Sequence, residues 1–379
     1  MNNPKIDQIL SHKKETPCIT IIFPTHRVSP ERRKDALLFS NLIEETKNLL
    51  QLIDHTEAFQ KKIVLDELDA YLKIIDFTHS EDGIGIYISP TVSELIYFPF
   101  EVEQKVQIDT IFYTRELRYF QQTQMDYGIV ALSQKRVNIY LAQGPKIQLV
   151  HNDNFPLDYT EEYEYTKPSK ISSHGSIVLK QYEKEKSTIE DIRRIDFFKH
   201  ADQLLDKYPK LNLPLVVVGE EKEVADFIAI SKHPQNIIGE LHTNLNFDAI
   251  HLLGDRAWEE VQQIKKIENE NAIKELRELI GSEMVAIGIV DVWRAANAGN
   301  SLELYVEKDF AKVGYLSKDG QIVKLEYSGH NKNFLRVNDI VEKIIHLVLE
   351  KNGEIVFVAN ESLEDFDGIA LKLRYPDLG

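Results

Sequence analysis

The sequence predicts an α/β protein of several domains. Its 379 residues exceed what one ordinary hydrophobic core organises and suit two or three domains. Three closely spaced β-type runs between residues 127 and 151 precede alternating helix-type and strand-type segments. The segment from Met284 to Pro376 alternates helix and strand again. These observations divide the chain into an N-terminal α/β domain (1–125), a middle domain (126–243) with a polar loop at 152–187, and a long helix with a C-terminal α/β sandwich (244–379).

In the N-terminal domain, residues 17–23 form an apolar run that ends at Pro24-Thr25-His26-Arg27, which reads as a strand entering a loop. Leu38, Leu42, Leu49 and Leu52 then recur at helical spacing within Arg32 to Leu52, and Phe59 to Ile75 repeats the pattern. Gly83 to Ser89 and Glu94 to Phe98 read as two strands joined through Pro90-Thr91.

The β-type runs of the middle domain are Tyr127 to Leu132, Arg136 to Ala142 and Lys146 to His151. Only Ser133-Gln134-Lys135 and Gln143-Gly144-Pro145 separate them, so they should form an antiparallel meander. A helix is expected over Thr188 to Tyr208, a buried strand over Leu213 to Gly219 and another helix from Glu221. Phe247 to Leu279 is the longest helical pattern, with Ile250, Leu253, Ala257, Val261, Ile264 and Ile267 three or four apart. Its one glycine, Gly254, costs about 1 kcal/mol in a helix interior. Trp258 and Trp293 fall at apolar-face spacing on expected helices and read as core.

The tail orders its elements as a helix (Asp291 to Asn297), a turn at Ala298-Gly299, a strand (Leu302 to Val306), an insert, a helix (Asp339 to Glu350) and a strand (Glu354 to Ala359). It closes on Phe366-Asp367-Gly368-Ile369-Ala370-Leu371-Lys372-Leu373-Arg374-Tyr375. This order, with its "FGGIAAxLRY"-like final strand, resembles the C-terminal domain of archaeo-eukaryotic release factors and Pelota. Asp367 stands where the first of the two glycines is expected. The meander followed by helix and strand is similar to the RNase H-like middle domain of those factors, and Pro24-Thr25-His26-Arg27 looks like the "PTHR" segment of their bacterial relatives. The chain as a whole resembles the bacterial archaeo-eukaryotic release factor superfamily.

The chain carries a net charge of −16, which disfavours nucleic-acid binding by the body as a whole. Residues 167–199 hold eight Lys or Arg against five acids, a local excess of three. Lys167, Lys170, Lys180, Lys184, Arg193 and Arg194 are therefore candidate RNA contacts, and a solvated helix face explains the same charges. His26, Arg27, Arg32 and Arg33 make a second basic corner, fit to bind an anion or to be salt-bridged by acidic neighbours.

Release factors place a catalytic Gly-Gly-Gln loop after the meander, but this sequence has no Gly-Gly-Gln and offers Ser172-Ser173-His174-Gly175-Ser176 instead. His174 can act as a base or stack on RNA, or be an incidental histidine of a polar loop. No phosphate-binding glycine motif, HxxxH pair or cysteine cluster occurs, so neither a cofactor nor a metal site is expected. Cys18, the single cysteine, lies in an apolar run and reads as a buried thiol. No apolar stretch approaches the ~20 residues of a membrane span, so a cytoplasmic protein without a membrane partner is expected.

The resemblance implies a ribosome-associated protein of rescue, hibernation or translational quality control that contacts tRNA or ribosomal RNA, with no role for DNA. Two alternatives stay open: a peptidyl-tRNA hydrolase using another loop, and a protein-binding adaptor on a release-factor fold.

Overall fold

Residues 18–23 are buried without interruption, which an apolar strand achieves only when both sheet faces are covered. The computed structural model describes residues 3–27, 30–52, 57–79, 81–159, 176–207, 213–243, 250–327 and 333–376. The chain splits into two compact units, one of Met1–Gln122 with Leu279–Gly379, the other of Thr123–Glu278.

In the first unit, α1 (Pro4–Leu10) leads into β1 (Cys18–Pro24), followed by α2 (Asp35–Gln51) and α3 (Ala58–Ile74). Then come β2 (Gly83–Ile88), β3 (Ser93–Phe98), β4 (Lys105–Asp109) and α4 (Arg115–Thr123). The strands pair antiparallel in the order β3-β2-β1-β4. Ile19, Ile21 and Phe23 of β1 pack with Phe39, Leu42, Ile43, Val64 and Leu68 of α2 and α3. Cys18 and Ile22, of opposite parity, pack with Ile6, Ile9 and Leu117 of α1 and α4. Each such aliphatic or aromatic side chain contributes about 1.5–3 kcal/mol on burial. Burial also pushes the Cys18 thiol up to about 12, as suits a structural cysteine.

The tail belongs to the same unit. It contains β11 (Val285–Ile287), α8 (Gly288–Asn297), β12 (Ser301–Glu307), β13 (Gly314–Ser317), β14 (Val323–Lys324), β15 (Phe334–Val337), α9 (Ile340–Glu350), β16 (Glu354–Val358) and β17 (Ile369–Leu373). Its main sheet runs β11-β17-β12-β16, and the insert between β12 and α9 forms a small sheet of order β14-β13-β15. Val292, Trp293 and Ala296 of α8 and Ile340, Ile344, Ile345 and Val348 of α9 fill its core. The tail thus has its own sheet, as expected, but it packs into one unit with residues 1–122 rather than forming an independent domain.

The Asp367 departure has a backbone explanation. Asp367 and Gly368 are both left-handed, with φ of 54° and 78°. Asp is among the residues that tolerate this region, so the turn survives with one glycine replaced. At Gly368 a Cβ would come within 2.5 Å of the Phe310 ring, so there the glycine is required.

In the second unit the expected meander is present as β5 (Asp126–Leu132), β6 (Arg136–Gln143) and β7 (Lys146–Leu149). After β8 (Leu157–Asp158) come α5 (Ser176–Leu205), β9 (Leu215–Gly219), α6 (Glu221–Ile230), β10 (Ile237–His242) and α7 (Ile250–Leu279). β9 joins β5 in parallel and β10 joins β9 in parallel, so the sheet runs β10-β9-β5-β6-β7, with β8 on β6. Strand alternation divides the core: Val130, Leu132, Leu215 and Val217 face α5 and α6, and Ile129, Ala131, Val216 and Val218 face α7.

The expected boundary at residue 244 needs correction. Leu253, Ala257 and Val261 of α7 are buried against this sheet, with Trp258 half-buried and stacked on Tyr127, so the helix belongs to the second unit and the boundary falls at Glu278. Gly254 explains the close fit, since a Cβ there would lie 2.2 Å from the carbonyl oxygen of Pro145 in the β6–β7 turn. No helix among the described residues is long and apolar enough to cross a membrane.

Candidate functional site

The N-terminal basic corner forms where β1 ends. Asp35, the buried first residue of α2, accepts the His26 backbone N–H at 2.8 Å, and its other oxygen lies 2.7 Å from His26 Nδ1. Arg27 forks onto both oxygens of Asp82 at 2.6 and 2.7 Å. Arg32 donates to the carbonyl of Thr78 at 3.0 Å, and Arg33 is exposed. The corner is therefore held by carboxylates, and Arg33 is left facing solvent.

Of the six candidate RNA contacts, Lys167 and Lys170 lie outside the described residues, as does His174. Lys180 and Lys184 fall on α5, in a stretch whose side chains also lie outside the described residues. Arg193 is half-buried and makes no ion pair with a described residue. Arg194 sits between Asp191 at 2.9 Å and Asp226 of α6, to which its Nε donates at 3.1 Å. Lys222 of α6 reaches Asp191 at 2.7 Å, so these charges tie α5 to α6.

A dense polar arrangement among the described residues lies in the first unit, away from the candidate residues read from the sequence. The side chain of Arg115, at the start of α4, is 4% exposed. It donates to the Phe310 carbonyl at 2.7 Å and to Asp339 Oδ2 at 3.0 Å. Asp339 also caps α9 by accepting the N–H groups of Val341 and Glu342. Glu342, 2% exposed, accepts the Thr114 N–H at 2.8 Å. His346 Nε2 lies 3.2 Å from the same oxygen. Burial raises the Glu342 pKa, but His346, Arg115 and the Thr114 N–H outweigh it and hold the carboxyl at about 2.

Beside this network, Lys105, Tyr113, Arg115, Glu116, Tyr119 and Lys308 line a cleft with Phe100. Lys105 donates to the Tyr113 hydroxyl at 2.5 Å, and Lys308 lies over the rings of Phe100 and Tyr119. Glu116 Oε2 is sealed from solvent and has no hydrogen-bond partner among the described residues. Burial pushes Glu116 up to about 7 against the opposing pull of Lys105 and Arg115. A carboxyl so placed exchanges its proton near neutrality, which is the property of a general acid or base. Thr114-Arg115-Glu116-Leu117 has the composition of a helix start, the one local signal available for this site. Among the described residues no group of three or more His, Cys, Asp or Glu is placed to hold a metal ion.

Comparison with known proteins adds a similarity over part of the chain. Residues 126–300 match the model of bacterial archaeo-eukaryotic release factor family 3. The match begins at the first residue of β5, takes in the second unit from there on and ends just before β12. No curated protein matches the chain. Similar solved structures include Pelota from Archaeoglobus fulgidus, 14% identical, with 78% of this chain and 86% of that one covered and a TM-score of 0.35. Dom34 from S. cerevisiae is 12% identical, covering 78% and 74% with a TM-score of 0.41. The archaeal termination factor aRF1 is 13% identical over 99% of both chains with a TM-score of 0.26. Over residues 126–300, then, this chain is similar to the bacterial archaeo-eukaryotic release factors and is release-factor-like in that segment.

Proposed function

We propose that this chain is a ribosome-associated factor of release-factor type that acts in ribosome rescue, hibernation or translational quality control without Gly-Gly-Gln hydrolysis. The family match over residues 126–300 carries the reading, joined to a sequence that lacks Gly-Gly-Gln. The second unit supports it further. Its meander with two parallel strands added beside the first gives the order expected of an RNase H-like domain. Lys180, Lys184 and Arg193 on α5 are the residues proposed to meet tRNA or ribosomal RNA, and the cytoplasm is the compartment where such a partner is met.

Cosedimentation of the full chain with empty and with stalled ribosomes, over a range of salt, tests the reading. Binding that prefers one ribosomal state and weakens with salt is expected. A chain that stays in the supernatant with every ribosomal state would overturn it. Turnover of peptidyl-tRNA by the ribosome-bound protein would instead establish the hydrolase.

A further inference from the structure

The small sheet in the tail has two unlike faces. Gly314, Leu316, Val323 and Val337 point inward: Leu316 and Val337 pack on the tail core, Val323 is 4% exposed, and a Cβ at Gly314 would sit 3.0 Å from Ile340. Residues of the other parity point outward. On that side Tyr315 in the central strand lies opposite Lys324 on one neighbour and Arg336 on the other, and Phe334 follows one step along β15. Tyr327 completes the group, with its ring 5.7 Å from Tyr315 and 4.9 Å from Phe334. Lys324 Nζ lies 4.8 Å from the Phe334 ring centre.

These rings are not among the residues that form or pack against the tail's apolar cluster, whereas Leu316, Val323 and Val337 of the inward set are; Leu335, of the same parity as that set, is 58% exposed. Lys324 and Arg336 are exposed and pair with no acid among the described residues. The charge around them is also unlike the rest of the chain. Residues 308–336 hold six Lys or Arg against three acids in a protein of net charge −16. Half-buried rings flanked by unpaired cations favour a ligand that is both flat and anionic. Unpaired nucleotides have that chemistry, because every base offers a π-face and every link a phosphate. A proline-rich peptide would use the rings but not the cations.

We propose that the outer face of this sheet is a platform for unpaired RNA, on which Tyr315, Tyr327 and Phe334 stack bases and Lys324 and Arg336 meet phosphates. The proposal rests on the ribosome-associated reading only for where such RNA comes from.

The test uses the full chain and a short fluorescein-labelled oligouridine, with affinity measured across a range of salt and the fold checked by circular dichroism. Y315A and F334A should each bind roughly five- to 150-fold more weakly, the range for losing one base stack, and Y315A/F334A more weakly than either. K324Q/R336Q should lower the slope of log K against log salt by about 1.4, from two single-strand phosphate contacts at about 0.7 each. Y315F and F334Y keep the π-faces and should bind like the unaltered chain. Overturning results are failure of the unaltered chain to bind oligouridine, unchanged affinity in folded Y315A/F334A, or capture of a proline-rich peptide in place of the RNA. Ribosome cosedimentation of the same variants separates the two readings. Oligouridine binding lost with cosedimentation kept upholds the platform and leaves the ribosome contact elsewhere. Oligouridine binding by a chain that never cosediments upholds the platform and removes the ribosome.

Discussion

The backbone N–H of Thr114 donates at 2.8 Å to the carboxylate of Glu342, which stands 228 positions later in the chain. That bond joins the start of α4 to α9 and is one of several that hold the tail to residues 1–122 in the first unit. Removing the carboxylate leaves the Arg115 guanidinium buried with Asp339 as its one close acidic partner. Loss of one member of a buried ion network costs about 3–5 kcal/mol. Glu342→Ala should therefore lower the stability of the first unit by about that much, read as a lower urea midpoint.

The same carboxylate gives the first unit an acid limb. Its folded pKa of about 2 lies below the ordinary 4.5, so the stabilisation is fully present above pH 4.5 and is lost as pH falls toward 2. Glu116 acts in the opposite sense. Its folded pKa of about 7 exceeds 4.5, so its contribution is greatest below pH 4.5 and declines as pH rises to 7. The difference amounts to about 3 kcal/mol at 1.36 kcal/mol per pKa unit. Glu116→Gln should flatten the stability profile between pH 5 and 7, as followed by urea unfolding at each pH. A profile that still falls by the same amount in the variant would mean that another group titrates there.

Gly254 separates two opposed effects. Helix propensity alone makes Gly254→Ala stabilising by about 1 kcal/mol. The added Cβ would meet the Pro145 carbonyl at 2.2 Å, and backbone cannot yield as a flexible side chain does. Overpacking of this kind costs about 1–3 kcal/mol, so the variant should melt at lower temperature than the unaltered chain. A higher melting temperature would show that α7 does not approach the β6–β7 turn so closely.

How far the sequence could be read follows from what each element depends on. The meander was legible because short polar links leave its strands no partners but one another. The tail was legible because its helices and strands are strongly apolar and its final strand carries a recognisable motif. Edge strand β4, Lys105–Asp109, was not, because it is half-buried throughout and its pairing with β1 is set some eighty residues away. The periodicity of α7 marked its apolar face but could not say which sheet that face covers. Nor could spacing have assembled Thr114, Arg115, Asp339 and Glu342, whose relation exists only in the folded unit. Of the two basic segments, the sequence located the charges and left salt-bridging of the N-terminal corner open, but spacing could not name Asp82 and Asp226 as the carboxylates that hold Arg27 and Arg194.

Those carboxylates sharpen the prediction for ribosome binding. Arg194 is engaged by Asp191 and Asp226, so Arg194→Ala should loosen α5 from α6, at a cost of about 1 kcal/mol for a partly exposed pair, without changing the salt dependence of binding. Arg193→Ala, alone and combined with Lys180→Ala and Lys184→Ala, should lower the slope of log K against log salt by roughly 0.7 to 0.9 per lost phosphate contact. In the N-terminal corner, Arg27→Ala should leave the slope unchanged because Asp82 already occupies both sides of its guanidinium fork, whereas Arg33→Ala tests an exposed cation. Replacing His26 breaks its contact with Asp35 at the start of α2, so its effect belongs to stability and must be measured by thermal melting before any binding loss is assigned to it. A slope that falls only with Arg33 moves the RNA contact to the N-terminal corner. A slope that survives all of these replacements in folded protein leaves neither segment in contact with phosphate, and then the protein-binding adaptor is the reading that fits.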